Sequence, residues 1–493
     1  MKTLNRENAV SAVKYPERIL QFGEGNFLRA FCDWMVHRMN KNLDYQSGVV
    51  VVQPIENGMA DALNMQDGLY HLGLRGVKKE QPVKKIELID CITRAINPYT
   101  NFDDYLQAAG NPDIKIVLSN TTEAGISYHP DDRLTDTPQK SFPGKVTALL
   151  YHRFQKFNGS PDAGLAFLCC ELIDRNADRL KELVLRYAGE WNLGERFTEW
   201  VNSSCDFCNT LVDRIVPGFP KDEIDILQQE IGFKDNLVVI GEYYHAWVIE
   251  APQRVRRLFP ADKAGLEVKF VADNRPYREE KVRILNGAHT GTFATALLSG
   301  VETVREAAQD KNVSRFMKEM MFEEIVPALR ENDTQLEAFA AKTLERFHNP
   351  FIKHYWRSIS LNAVSKWETR NLPSLSDYFK KNNRLPQKLV FSLAALIAWY
   401  RGQNNGTSYE VCDDPEIVSW FAEVWKAYDG TPESISFLVE KTLGNRQFWK
   451  KDLNTIKGLA PAVSGYLFLI EKTGMANALE VVLTKDSSIQ HAA

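Results

Sequence analysis

Near residue 276 the hydrophobic rhythm of the chain changes. Before it, apolar runs of strand length alternate with segments of helical spacing; after it, strand signals fade and amphipathic helical spacing dominates. Arg18-Ile-Leu-Gln-Phe22 reads as a strand, followed at once by Gly23-Glu24-Gly25 and a helical pattern that begins at Asn26. Gly48-Val-Val-Val-Val52 is apolar throughout, the pattern of a parallel strand buried on both faces. The alternation continues with strand 84–91, helix 101–109, strand 114–119, helix 144–156, strand 164–171, helix 176–190 and strand 236–241. Gln66-Asp-Gly-Leu-Tyr70 reads as a turn into an extra strand. Helices are expected at 276–299, 302–310, 312–330, 335–347, 386–402, 415–428, 434–443 and 460–473. The pattern predicts a parallel α/β domain over 1–275 and a mainly α-helical domain over 276–493.

The helix expected at 276–299 concentrates reactive side chains. Pro276 suits the first helical position, Glu279 and Glu280 suit a first turn, and Gly300 is a good terminator. On a regular α-helix Asn286 stands roughly 140° and His289 roughly 80° around from Lys281, so all three share one broad face. An amine, an amide and an imidazole on one face suit proton transfer at an alcohol or carbonyl, with Lys281 as acid/base and Asn286 and His289 holding the substrate oxygen. Asn286-Gly287 conflicts with a helix interior, since Asn-Gly is a hairpin signal, and such local conflicts gather at functional sites. The plainer alternative is a solvated Lys, a helix-disrupting Asn and a packed His.

The Gly23-Glu24-Gly25 turn, between a strand and a helix start, lets backbone approach a pyrophosphate whose charge the helix dipole favours. Leu28 stands where the third glycine of the dinucleotide fingerprint would be. The second strand ends in Gln53-Pro54, so the acid that usually binds the adenosine ribose is absent from its place, with Glu56 and Asp61 only nearby. No Arg or Lys occurs between Val49 and Tyr70 to take a ribose phosphate, which points to NAD rather than NADP. Ser119-Asn-Thr-Thr122-Glu123-Ala-Gly125 is a polar loop at a strand's carboxyl end, where ligands of open α/β sheets sit.

Composition narrows the partners. The apolar fraction of 44%, the charged fraction of 25% and a net charge of -4 fit a soluble protein with no general electrostatic reason to bind nucleic acid or membrane. The first residues lack an apolar signal core, and no run approaches eighteen apolar residues, so a cytoplasmic location and small-molecule partners are expected. Seven cysteines are read as reduced thiols; Cys205-x2-Cys208, with Cys169-Cys170 upstream, finds no second pair to complete a metal site. Oligomeric state is left open.

Lys281-x4-Asn286-x2-His289 and Gly23-x-Gly25-x-Phe27-x-Arg29-Ala30 together resemble the signatures of the mannitol dehydrogenase family, the polyol-specific long-chain dehydrogenases. The resemblance extends through Gln66-Asp-Gly-Leu-Tyr70, Thr122-Glu123-x-Gly125, Val212-Asp213-Arg214-Ile-Val-Pro217 and Asn349-Pro350. It implies a Rossmann-type amino-terminal domain, a helical carboxyl-terminal domain, no metal, and an NAD-linked interconversion of a sugar acid with its keto form. On that basis Gly23, Gly25, Asn26, Phe27, Arg29, Thr122 and Glu123 are candidate cofactor residues, and Lys281, Asn286 and His289 the catalytic set. Asp213, Arg214, Arg357, Lys366 and Arg370 are candidates for substrate binding, the cations among them for a carboxylate. Where mannitol dehydrogenases carry an Asn that assists at the substrate oxygen, Cys169-Cys-Glu171-Leu172 has none. Another hexuronate reductase or a neutral polyol dehydrogenase would share the same Lys, Asn and His. A nucleotide sensor without activity is the alternative outside enzymes, and it would have no need of a proton-transfer group.

Overall fold

Strands that are apolar on both sides need cover on both sides, and the first part of the chain supplies it. The computed structural model describes residues 1–78, 81–122, 124–404 and 406–490, without the side chains of 485–490. The chain divides into two compact units, one of residues 1–78 and 82–277, the other from 278 onward.

The first unit is built on six parallel strands in the order Ile92–Ile96, Gly48–Val52, Glu17–Phe22, Ile116–Ser119, Ala166–Cys169 and Asp206–Cys208. In chain order this is 3-2-1-4-5-6, the doubly wound dinucleotide-binding arrangement. Alternate side chains of each strand face opposite ways. Ile19, Val49 and Val51 pack with Phe31, Met35 and Met39 of the following helix. Leu20, Phe22, Val50, Val52 and Val117 pack with Tyr105, Val146, Leu149 and Leu180 from helices on the other face.

Two expected strands leave this sheet. The segment expected at 84–91 forms the strand Gln81–Ile89, which lies with Tyr70–Lys78 and Val239–Glu242 in a separate three-stranded sheet. Its Lys84, Lys85 and Glu87 face solvent or ion-pair partners, which suits an edge and not a doubly covered centre. Ile92–Ile96, which the apolar pattern passed over, takes the third place instead; Arg94 in its middle is accommodated by Glu17 at 2.7 Å and Asp104 at 2.6 Å.

The second unit is helical. Gln387–Trp399 is its central helix, buried from Lys388 to Trp399, as a segment apolar on nearly every side must be. Gly287–Leu298 and Leu459–Thr473 belong to the same apolar core. Ala363–Arg370 and Leu372–Asn382 are helices that the periodic pattern did not reveal, because Asn362 at φ 53° and Pro373 cut the stretch into pieces too short to show a repeat. Three helical stretches switch to π-helical bonding: Arg29–Asp33, Lys281–Asn286 and Met320–Ile325. Such bulges are rare and gather at functional sites.

The central helix starts at Pro386, whose side chain cannot cap it. Glu324, from the third π-helical stretch, does so: its carboxylate accepts the N–H groups of Lys388 and Leu389, each at 2.8 Å. Replacing Glu324 by Ala leaves two buried donors without this acceptor, and should cost about 1–3 kcal/mol per donor left unpaired. Scanning calorimetry of Glu324→Ala should show a melting temperature lowered by roughly 2–12 °C, with a smaller fall for Glu324→Gln, which keeps one acceptor.

Candidate active site

The first candidate region is the turn that leaves the strand Glu17–Phe22. Gly23 has φ +119°, where a side chain is strained, and a Cβ there would stand 3.1 Å from the Asn120 carbonyl oxygen. At Gly25 a Cβ would meet nothing within 4 Å, so the backbone faces open space. The helix that follows, Asn26–Leu28 continuing to Leu43, starts from Gly25 with no capping side chain. Uncapped N–H groups beside an open glycine turn fit the pyrophosphate of a dinucleotide.

The residues singled out around this turn divide by what they touch. Buried Arg29 donates to the Glu24 carbonyl at 3.1 Å, to Asn26 Oδ1 at 2.8 Å and to the Leu237 carbonyl, and lies over the Tyr70 ring. Arg29, a candidate cofactor residue, thus braces the glycine turn through the Glu24 carbonyl and the Asn26 side chain. Asn26 shares that bracing but is exposed, and half-buried Phe27 stacks on Phe31 at 5.1 Å. Thr122 holds φ +71° in the loop after Ile116–Ser119, whereas Glu123 lies outside the described residues. The same loop is tied by a residue not foreseen in that role: buried Glu171 accepts from Ser119 Oγ, Thr121 N and Thr121 Oγ1 at 3.1–3.2 Å. Glu171 is thus engaged in holding the loop.

In the second unit the expected regular helix at 276–299 is corrected. It runs as Arg275–Glu280, then π-helical Lys281–Asn286, then Gly287–Leu298. The Gly287 N–H reaches back five residues to the Val282 carbonyl. With bonding partners five apart, Lys281 and Asn286 come close to one line along the helix instead of standing roughly 140° apart. The Gly287 carbonyl accepts from Asn371 Nδ2 at 3.0 Å, which steadies the junction.

Lys281 and Asn286 are half-buried, and the Asn286 amide makes no hydrogen bond among the described residues. The His289 ring packs against Phe347 at 4.6 Å, His354 at 5.1 Å and Trp356 at 6.1 Å, and its Nε2 is buried without a partner. Burial first, then the neighbouring His354, Arg346 and Arg370, holds this imidazole well below its usual pKa. His289 is accordingly neutral near pH 7. Arg346 and His354 had not been singled out; their only signal was proximity to the Asn349-Pro350 motif.

The candidate cations separate as well. Arg370 donates to Thr290 Oγ1 at 3.0 Å, one residue beyond His289, and no carboxylate pairs with it among the described residues. Burial lowers its pKa with nothing opposing. Lys366, one turn earlier on the same helix, donates to the Ile359 carbonyl at 3.1 Å, and burial with Arg370 beside it lowers its pKa. Arg357 is exposed over the rings of Trp399 and Tyr409, in a groove of about 660 Å³ shared with Leu297 and Gly300. Leu297 lies roughly 12 Å along the helix from His289. In the first unit Arg214 is buried, donates to the carbonyls of Ala30 and Tyr244 and covers the Trp34 ring at 4.2 Å. Arg214, a candidate for substrate binding, thus has its guanidinium engaged by carbonyls and a ring of its own unit. Asp213, half-buried, ends the strand Thr210–Asp213 opposite Ala246.

Comparison with known proteins agrees along almost the whole chain. Residues 17–261 match the model of the mannitol dehydrogenase Rossmann domain, and residues 273–466 that of the mannitol dehydrogenase C-terminal domain. An altronate oxidoreductase of Bacteroides thetaiotaomicron is 47% identical over 98% of this chain and 100% of its own length. One of Bacillus subtilis is 45% identical over 97% of this chain and 98% of its own. The fold matches that of a D-sorbitol dehydrogenase crystal structure with TM-score 0.78 at 21% identity, over 97% of this chain and 100% of that one. A Pseudomonas fluorescens mannitol 2-dehydrogenase, in ternary complex with NAD and D-mannitol, matches with TM-score 0.66 at 19% identity, over 98% and 100%. With a glycine turn open to a pyrophosphate, a Lys, Asn and His set on one helix and both domain models matched, the chain belongs to the mannitol dehydrogenase family.

Proposed function

We propose that this enzyme is an NAD-dependent altronate oxidoreductase, interconverting D-altronate and D-tagaturonate. The observation that carries the reading is Arg370, a half-buried cation without a carboxylate, hydrogen-bonded beside His289. A neutral polyol gives such a cation nothing to pair with, whereas a hexuronate brings a carboxylate that can take two parallel hydrogen bonds. Relatives named altronate oxidoreductase, similar over almost their entire length, support the same substrate class. The first unit is assigned to the cofactor and the second to the substrate.

The chemistry asked of the second unit is proton transfer at one carbon–oxygen centre. Bound NAD supplies hydride exchange with that carbon. As the keto group is reduced, the oxygen becomes an alkoxide and the Lys281 ammonium donates its proton to it; in the oxidative direction neutral Lys281 takes the hydroxyl proton. The Asn286 amide and the neutral His289 ring hold the oxygen, and each is a donor already in place when charge develops. A charged His289 would add a third cation beside Arg346 and Arg370; the burial that keeps it neutral avoids that repulsion. Among the described residues no helix is long and apolar enough to cross a membrane.

Lys281→Ala should lose at least about a thousandfold in turnover with tagaturonate, while NADH affinity, followed by fluorescence titration, stays close to that of the wild type; near-normal turnover would remove Lys281 from the reaction. For Asn286→Ala and His289→Ala, steady-state kinetics should give losses on the order of a hundredfold each.

The substrate class is tested with a panel of tagaturonate, fructuronate and fructose. Arg370→Ala should lower kcat/KM for tagaturonate by about 10- to 100-fold and narrow its lead over fructose, while Arg357→Ala keeps the wild-type preference. A wild-type enzyme that prefers fructose would replace the sugar-acid reading by a neutral polyol one.

His289 also leaves a signature in stability. Its folded pKa is depressed, so below about pH 6.5 the unfolded chain binds a proton that the folded chain refuses, and the stabilisation is lost as pH falls. Urea unfolding of wild type and His289→Gln, compared from pH 7.5 to 5.5, should show a stability difference that moves in favour of the variant on acidification. A constant difference would mean that His289 titrates normally.

A further inference from the structure

The acid that a dinucleotide fold usually places at the end of its second strand, against the adenosine ribose, is missing here; Gln53 occupies the position. Gln53 is also engaged at both ends of its amide. Its Nε2 donates to the carbonyls of Ile55 and Glu56, each at 2.9 Å, and its Oε1 accepts the Ala60 N–H at 3.1 Å. It braces the turn after the strand, and both its Nε2 protons are already donated.

A carboxylate reaches the same place from the other side. Glu24 is the middle residue of Gly23-Glu24-Gly25, and only 7% of it is exposed. One of its oxygens, Oε1, accepts the Met59 N–H at 3.3 Å; the other, Oε2, is buried and has no partner. The side chains of Glu24 and Gln53 meet over Gly58, where an added Cβ would lie 2.2 Å from Glu24 Oε1 and 2.5 Å from Gln53 Cδ. The glycine therefore leaves room for a carboxylate that spans from the phosphate-binding turn to the end of the second strand. These are the two points between which the adenosine ribose of a dinucleotide lies. A buried carboxylate oxygen without a donor costs free energy until something donates to it, and burial raises the Glu24 pKa as its charged form loses water.

We propose that Glu24 takes over the role of the missing acid, accepting a hydrogen bond from an adenosine ribose hydroxyl of NAD and disfavouring the 2′-phosphate of NADP by its charge. No Lys or Arg between Val49 and Tyr70 is there to receive that phosphate, and Arg29, the cation near Glu24, is buried and spends its hydrogen bonds on the Glu24 and Leu237 carbonyls and Asn26 Oδ1. Cofactor choice is thereby set from the glycine turn and not from the second strand. The inference rests on NAD being the cofactor, and its test separates the two ideas.

Binding is measured by titration calorimetry on the full chain with NADH, NADPH and NADH analogues lacking the 2′- or 3′-hydroxyl of the adenosine ribose. Wild type that binds no NADH would overturn the cofactor reading itself. With NADH bound, wild type should lose about 10-fold or more in affinity for at least one deoxy analogue; equal affinity for all three would overturn the role of Glu24 without any variant. In Glu24→Gln and Glu24→Ala, NADH should weaken by about 10-fold, NADPH should hold or improve, and the penalty for the deoxy analogue should shrink to about 2-fold or less. A variant that melts like wild type yet keeps both the NADH preference and the full deoxy penalty would likewise overturn it.

Discussion

The second unit depends on one change of hydrogen-bond reach. Across Lys281–Asn286 the backbone bonds to the fifth residue back instead of the fourth, and this brings Lys281 and Asn286 toward one line. A helix pays for such a turn with poorer hydrogen bonding, so neighbours must hold it in place. Asn371 does so at the Gly287 carbonyl. Met320, in another π-helical stretch, lies against Gly291 so closely that a Cβ there would stand 2.7 Å from its sulfur. Two irregular helices thus pack at a glycine, and the reactive face follows from that packing.

Several cations gather near this face, and among the described residues Arg370 pairs with no carboxylate. Arg370 and Lys366 lie one turn apart, both with pKa lowered by burial, and His354, Arg346 and Arg370 all act on His289. A region of like charge is unfavourable when empty and becomes favourable when an anion enters. That is the physical basis for reading the substrate as an acid. The exposed Arg357, stacked on aromatic rings, and Arg214, bonded to carbonyls in a core, lack this character.

In the first unit the buried groups around the turn are carboxyls, with Arg29 among them. Glu24, Asp33 and Glu171 are buried carboxyl groups around the glycine turn and the neighbouring loop, each with a pKa raised by burial, to about 7 for Asp33. Glu171 is satisfied by the loop it ties, whereas Glu24 and Asp33 each keep one oxygen unpartnered. The helix that starts at Gly25 carries its own π-helical stretch, Arg29–Asp33, directly behind the turn.

Much of this protein was legible without coordinates. The apolar runs at Leu20, Val50 and Val117 determine buried parallel strands, since few other structures take side chains that are apolar on both faces. The glycines of the turn and the spacing of Lys281, Asn286 and His289 likewise pick out the two candidate regions, because glycine geometry and reactive side chains are local properties. Other features depended on partners far away in the chain. Ile92–Ile96 enters the sheet because Glu17 and Asp104 neutralise its arginine, and nothing within five residues could announce that. The π-helical turn at Lys281 is held by Asn371 and Met320, and the four candidate cations are indistinguishable until their surroundings are known. Burial and pairing belong to the environment of a side chain and not to its identity, so only the tertiary structure could decide that Arg214 braces a core, that Arg370 stands without a carboxylate beside His289, and that Glu24 reaches the place where Gln53 is already engaged.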